Sequence, residues 1–284
     1  MKIAIAAPVK LNLFLEVRER MASGFHEVVT VMEAVDFGDT ITVESAEELS
    51  VRADRADVPS GEGNIVWKAV RAAEAEFGLP LPAAISLRKV LPPGTGLGAG
   101  SSDAVCALKA VLRLHAVSCS PARLQKIVAT VGSDTAFFVH GGVCLCTGRG
   151  EVVQPVAAKG ERHYVILVSH ATTSTAAVYA ALQVPTHFEG PGRLLGALRE
   201  GEAIEASLLF NRLAQAAFAI SPELGGLRAE ARLLGGRTPH LSGSGGALFF
   251  LASDKKDADV VATRLNTRKD WLAYAVKSRA PENA

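Results

Sequence analysis

Cysteine is scarce in this chain of 284 residues, and the four present, Cys106, Cys119, Cys144 and Cys146, have no zinc-ligand spacing. That excludes a zinc ribbon and a disulfide scaffold. In Cys144-Leu145-Cys146 the alternation of a strand would put both thiols on one face, as buried groups in a reducing compartment. Neither sign of charge is in excess: 30 Lys and Arg stand against 29 Asp and Glu, a formal +1, which argues against binding nucleic acid by bulk electrostatics. No apolar run approaches the ~20 residues of a membrane span. The start Met1–Pro8 is too short for a signal peptide and Lys10 interrupts it, so a cytoplasmic protein is expected. Internal repeats and low-complexity segments are absent as well.

What is present suits a globular chain. Hydrophobic residues make up 49% and charged ones 21%, enough for one large core or two modest ones. The most unusual stretch is Gly94-Thr95-Gly96-Leu97-Gly98-Ala99-Gly100-Ser101-Ser102-Asp103. Its glycines permit positive φ and close approach to a ligand. Ser101, Ser102 and Asp103 stand as N-cap residues before an apolar helix expected over Ala104–His115. A glycine loop that feeds a helix start aims unpaired N–H groups at one point, and that point suits phosphate. Two familiar phosphate loops fit poorly. A Walker loop needs a lysine after its last glycine, and none occurs between Gly94 and Ala107. Gly94-x-Gly96-x-x-Ala99 fits the dinucleotide fingerprint, but no acid lies between Asp103 and Asp134 to take the ribose. An ordinary strand-to-helix turn is the other alternative.

Around this loop the pattern alternates between strand and helix. Lys2–Val17 reads as one long strand or a strand pair broken near Pro8. Val28–Val35 and Thr40–Glu44 read as strands joined by a turn at Phe37-Gly38-Asp39. A helix over Ile65–Phe77 with Asn64 as N-cap, a strand over Ile85–Leu91, a helix over Pro121–Val131 and a strand over Gly141–Cys146 follow. Turn residues crowd Thr147–Arg162, which puts a domain boundary near residue 155. Beyond it a strand over Tyr164–Ser169, helices between Thr175 and Leu234, a strand pair flanking Ser242–Gly246, a helix over Lys256–Asn266 and a strand over Trp271–Val276 suggest an α+β sandwich.

Four short stretches could carry chemistry. In Pro8-Val9-Lys10-Leu11-Asn12-Leu13 the period of two turns Lys10 and Asn12 to one face and Leu11 and Leu13 into a core. Those two polar groups could grip an oxygen-rich substrate, or simply form a solvated sheet face. In Gly132-Ser133-Asp134, before an apolar run, Asp134 is either a desolvated acid or a helix N-cap. Ser23-Gly24-Phe25-His26-Glu27 offers an aromatic and a histidine that can stack on and read a base, or half-buried rings at a turn. Leu241-Ser242-Gly243-Ser244-Gly245-Gly246 is, on its own, a hairpin turn.

Taken in order, these motifs resemble the galacto-, homoserine, mevalonate and phosphomevalonate (GHMP) kinase superfamily over most of the chain, from Pro8 to Gly246. Their wording is closest to the branch that acts on a cytidine-diphosphate-linked methylerythritol. The resemblance implies an α+β, two-domain GHMP kinase fold. An N-terminal ribosomal-protein-like α/β lobe would cover 1–155, and a C-terminal ferredoxin-like α+β sandwich 156–284. It implies ATP-dependent phosphorylation of the methylerythritol 2-hydroxyl in the non-mevalonate route to isoprenoids, with ATP and Mg²⁺. Lys10 and Asp134 become the catalytic pair and Asn12 a substrate contact. Asn64 would lie near the adenosine. Pro92, Pro93, Gly94, Thr95, Gly96, Leu97, Gly98, Ala99, Gly100, Ser101 and Ser102 would form the nucleotide loop. Phe25, His26 and Tyr179 would surround the cytosine, with Thr175 near the substrate. No carboxylate for the metal stands out, and Ser102 is the one candidate ligand. The expected partner is the small-molecule substrate, with no nucleic acid or membrane, for a monomer or weak homodimer. The chain departs from the family pattern at Val9, at Phe25 (usually tyrosine), at Ala99 (usually glycine), at Ser169-His170 and at Arg212 (usually aspartate). The alternatives are another kinase of the superfamily, of homoserine or mevalonate type, and a non-catalytic nucleotide binder.

Overall fold

The computed structural model describes residues 1–22, 24–171 and 173–281, so Ser23 of the base-reading stretch lies outside the described residues. Two long strands open the chain. β1 (Lys2–Arg20) and β2 (His26–Ser45) pair antiparallel from Lys2 opposite Glu44 to Arg20 opposite His26, with irregularities between Pro8 and Lys10 and between Asn12 and Phe14. The turn expected at Phe37-Gly38-Asp39 does not form, and β2 runs straight through it. Gly38 lies opposite Pro8, and a Cβ on it would collide with the Ala7 carbonyl. Its glycine serves close approach of two strands at a bulge, not chain reversal.

The first half continues with β3 (Ser50–Ala53), α1 (Ile65–Phe77), β4 (Ala83–Arg88), α2 (Ala99–Leu114), α3 (Pro121–Val128), α4 (Thr135–His140), β5 (Val143–Thr147) and β6 (Val152–Val156). Asn64 caps α1 as expected, its side chain accepting from the Val66 N–H at 2.8 Å. α2 starts at Ala99, earlier than the sequence suggests. Gly98, left-handed at φ 71°, is its N-cap residue with no side-chain cap, so Ser101, Ser102 and Asp103 lie inside the helix and cap nothing. β3 and β6 were not expected from the sequence. β6 contains Pro155 and pairs with β5 alone, an edge position that tolerates the missing N–H.

The second half comprises β7 (His163–Ser169), α5 (Thr175–Ala181), α6 (Gly192–Glu200), β8 (Phe210–Asn211), α7 (Ala214–Ile220), α8 (Pro222–Gly235), β9 (His240–Leu241), β10 (Ala247–Ala252), α9 (Lys255–Leu265) and β11 (Trp271–Lys277). Among the described residues one seven-stranded sheet has the path β3-β4-β2-β1-β8, with β5 on β2 and β6 on β5. A second, four-stranded antiparallel sheet runs β11-β7-β10-β9. With helices between β7 and β9 and between β10 and β11, that order is the ferredoxin-like β-α-β-β-α-β arrangement. No described helix is long and apolar enough to cross a membrane.

β1 ties the halves together. Leu11 and Leu13, both fully buried, pack with Tyr164, Ile166 and Phe249 of the second sheet. Each contributes about 2 kcal/mol through burial. The opposite face of β1 is thereby left for Lys10 and Asn12, pointing toward α2 and its glycine loop.

Candidate active site

Lys10 and Asn12 are nearly inaccessible, which rules out a solvated sheet face for them. The Lys10 Nζ donates to the Gly96 carbonyl at 2.8 Å and to Asn12 Oδ1, and stands 3.6 Å from Asp134 Oδ2. Burial lowers its pKa below the ordinary lysine value, and the Asp134 carboxylate pulls the other way. The Asn12 amide is oriented from behind: its Nδ2 donates to Thr30 Oγ1 at 2.9 Å, and Thr30 donates on to the Phe14 carbonyl at 2.7 Å. Asp134 occupies the N-cap position of α4 but makes no side-chain cap bond, so its carboxylate is left to Lys10. It is neither a plain cap nor fully desolvated, since 36% of its side chain remains exposed.

Two cavities lie on this side of the molecule, and the pair lines the larger of them. The smaller, of about 380 Å³, is lined by Asn64 and Ile65 at one end and by Pro92, Pro93, Gly94, Thr95, Gly96, Gly98, Ala99, Gly100 and Ser101 at the other. Gly94, Gly96 and Gly98 all have left-handed backbone, while Gly100 is helical. Ala99, Gly100 and Ser101 open α2 and line this cavity, and the first N–H groups of a helix have no carbonyl one turn back, an arrangement that suits phosphate. Ala99 adds no strain there, because its backbone is helical and its methyl joins the core. Leu97 and Ser102 do not line this cavity. Leu97 is packed in the core while its carbonyl accepts from the Lys10 N–H at 3.0 Å. Ser102 is fully buried, with its hydroxyl 4.0 Å from Cys106 Sγ.

The larger cavity, of about 930 Å³, brings together Lys10, Asn12, Phe25, His26, Asp134, Thr175 and Tyr179, all of which the sequence singles out. The His26 and Tyr179 rings lie 5.4 Å apart, tilted by 35°. Burial first, and the nearby Asp134 charge second, push the Tyr179 hydroxyl up to about 12, so it stays a neutral donor. Phe25 is half exposed at the rim, with the Arg149 guanidinium 5.2 Å from its ring centre. Gly96 and Gly98 line both cavities, so the glycine loop forms a wall that the two share, with Lys10 on the side of the larger one.

The Leu241–Gly246 stretch supports this wall. The Thr95 carbonyl accepts from the Ala247 N–H at 3.0 Å, and a Cβ on Gly96 would collide with the Ser242 carbonyl. Thr175 reaches the same turn through a 2.7 Å hydrogen bond with Ser244 Oγ. Sequence reasoning missed Thr30, Arg20 and Arg149 in the larger cavity. It also missed Lys89, which lies in the wall of the smaller one with its Nζ 2.5 Å from both Asp39 and Asp103. Burial, opposed by Lys89, pushes the Asp103 carboxyl up to about 7. The buried thiols behave as expected: burial raises Cys144 to about 12, and Cys146 higher still. Among the described residues no group of three or more His, Cys, Asp or Glu is placed to hold a metal ion.

The sequence pattern of the GHMP kinases N terminal domain matches residues 64–142, and that of the GHMP kinases C terminal matches residues 194–270. Fold and site thus define the class: a GHMP kinase. Relatives narrow it. The chain is 34% identical to the 4-diphosphocytidyl-2-C-methyl-D-erythritol kinase of Salinispora arenicola over 98% of this chain and 91% of that one. It is 31% identical to the kinase of the same name from Geobacter metallireducens, over 97% and 98%. A crystal structure of 4-(cytidine 5'-diphospho)-2C-methyl-D-erythritol kinase superposes with a TM-score of 0.80 at 31% identity, covering 97% of this chain and 99% of that one. Homoserine kinase from Cytophaga hutchinsonii gives 0.76 at 18% identity, over 99% and 96%, a likeness of fold alone. The chain belongs to the 4-diphosphocytidyl-2-C-methyl-D-erythritol kinase family of the GHMP kinases.

Proposed function

We propose that this chain transfers the γ-phosphoryl group of ATP to the 2-hydroxyl of 4-diphosphocytidyl-2-C-methyl-D-erythritol, with Lys10 and Asp134 as its catalytic pair. The supporting observation is the shared wall. A cavity suited to phosphates and a cavity lined by rings share the wall formed by Gly96 and Gly98, with the Lys10 Nζ 2.8 Å from the Gly96 carbonyl. A donor in one and an acceptor in the other would bring the γ-phosphoryl group and a hydroxyl together beside Lys10 and Asp134. Asp134 takes the proton of the attacking hydroxyl. Lys10, 3.6 Å from the Asp134 carboxylate, steadies the negative charge as the phosphoryl group leaves. Asn12 orients the acceptor, and the α2 N–H groups with Gly94–Gly98 hold the triphosphate. Phe25, His26 and Tyr179 receive the cytosine by stacking and hydrogen bonding, and Thr175 borders the substrate.

Mg²⁺ comes with ATP and offsets the charge of its phosphates. Of the residues that line the smaller cavity, Ser101 at the start of α2 would offer its hydroxyl to a metal carried by the nucleotide. In this reading residues 1–155 bind the nucleotide and residues 156–284 complete the acceptor side. The enzyme works in the cytoplasm as a monomer or weak homodimer on small molecules alone.

The test is a substrate panel: purified protein with Mg-ATP and, in turn, the cytidyl-methylerythritol compound, mevalonate, homoserine and galactose, with ADP release followed. Turnover of the cytidyl compound alone is expected. Turnover of another acceptor overturns the base pocket, and ATP binding without any turnover overturns the catalytic roles.

A further inference from the structure

Asn211-Arg212-Leu213 has no role in the mechanism above, yet Asn211, the last residue of β8, bonds to the turn beside the site and Arg212 after it bonds to β1. The backbone of β8 pairs in parallel with β1, Leu15 opposite Asn211, on the strand that carries Lys10 and Asn12. The Asn211 amide donates to the carbonyls of Leu241 at 2.8 Å and Gly243 at 2.7 Å, and its oxygen accepts from the Leu213 N–H at 2.9 Å. Both amide hydrogens and the carbonyl are therefore in use, and the orientation of the side chain is fixed by its partners.

One of the residues it holds, Gly243, lies close to the Lys10 ammonium. Gly243 is left-handed at φ 62°, and a Cβ on it would lie 3.4 Å from Asn12 Oδ1 and 3.5 Å from Lys10 Nζ. In the same turn, Ser242 Oγ accepts from the Asn12 N–H at 3.3 Å and lies 3.4 Å from both Asn12 Oδ1 and the Gly96 carbonyl. Next to Asn211, Arg212 grips the fully buried Glu16 of β1 with two hydrogen bonds of 2.8 Å. Glu16 in turn accepts from the Glu189 N–H at 2.8 Å. The arginine that replaces the usual aspartate thus ties β8 to β1 by a bidentate pair.

We propose that Asn211 is a positioning residue for phosphoryl transfer, holding the Leu241–Gly246 turn as the wall beside Lys10 while Arg212 pins β8 to β1. The inference rests on the role given to Lys10 above. Asn211 touches no reactant and acts through Gly243 and Ser242. Without its two donors the carbonyls of Leu241 and Gly243 turn to water, the wall loosens, and water reaches the Lys10 ammonium. The charged or titratable groups facing Lys10 are Asp134 at the start of α4 and Cys146 on β5; Asn12 and the Gly96 carbonyl are neutral partners. Burial is what holds the Lys10 pKa down, so hydration lets it rise.

The experiment compares the intact enzyme with Asn211→Ala and with Asn211→Ser, a neutral change that can keep one donor. Steady-state kinetics are measured across pH and the fold is checked by thermal unfolding. Expected for Asn211→Ala is a kcat lower by about tenfold or more, the scale of small misplacements. The alkaline limb of kcat/KM moves to higher pH, and Asn211→Ser falls in between. A kcat within twofold of the parent, or a loss of kcat with an unmoved alkaline limb, overturns the proposal. Should the alanine variant not fold, the serine variant is judged by the same criteria. If the parent itself fails to turn over the cytidyl compound, the functional reading has failed. If the parent works and the variants equal it, only this inference has.

Discussion

Lys10 carries its charge where water cannot help it. Removing an ammonium from water costs several kcal/mol even after relaxation, and here a carbonyl, an amide and one carboxylate offset that cost. Asp134 is the only one of these with a charge, so changing it tests both residues at once. Asp134→Asn is expected to lower kcat by at least ~10²-fold, the usual contribution of a positioned base, with ATP affinity nearly unchanged by calorimetry. The sign of the pH effect follows from the same contact. Asp134 raises the Lys10 pKa, so its loss moves the alkaline limb of the residual activity to lower pH. Unchanged turnover would remove Asp134 from the mechanism. At this scale the sequence was legible where local periodicity decides: two positions on one strand face share an environment, as Lys10 and Asn12 do. It was silent on Thr30 and on Lys89, whose partners come from distant segments, and no spacing rule reports a contact made only by tertiary packing.

Among the elements, the loop Gly94–Gly98 and the turn Leu241–Gly246 interlock backbone against backbone. A Cβ on Gly96 would meet the Ser242 carbonyl and the Gly245 N–H, and one on Gly245 would meet the Gly96 N–H. Gly96 also has φ 78°, where an L side chain costs roughly 1–2 kcal/mol before any clash. Gly96→Ala is therefore expected to weaken ATP binding at least tenfold, read by calorimetry without acceptor, in a protein that still unfolds cooperatively. Binding within twofold of the parent would show that the loop tolerates the shift. Glycine also marks where the sequence misled. Phe37-Gly38-Asp39 has the composition of a turn, yet Gly38 admits a neighbouring strand, a demand that arises only once β1 lies beside β2. The serines and aspartate after the loop have cap chemistry, but the helix begins before them because Gly98 can take the left-handed position and leave the first N–H groups uncapped. β8 is too short to leave a pattern at all.

For the whole molecule, a buried ion pair joins the two sheets. Glu33 of β2, with no exposed surface, accepts from Arg162 at 2.6 and 2.8 Å and from the Tyr164 hydroxyl of β7 at 2.5 Å. Removing the carboxylate leaves the buried Tyr164 hydroxyl without its partner and Arg162 with only the Lys159 and Gly160 carbonyls, so Glu33→Ala is expected to cost about 3–5 kcal/mol in urea unfolding. A loss below about 1 kcal/mol would mean that water replaces the carboxylate. In the second sheet the strands themselves were within reach of sequence, because β7, β10 and β11 each carry an apolar signal and the Ser242–Gly246 turn marks a strand on either side; their order came only with the family resemblance. The seven-stranded sheet was less legible, since β8 joins it from the far side of the chain. That connection has a consequence for synthesis. A chain made from its N-terminus delivers Lys10 and the glycine loop well before the Leu241–Gly246 turn. The glycine loop therefore leaves the ribosome long before the turn that braces it, and an unfinished chain has no complete site in which to spend ATP.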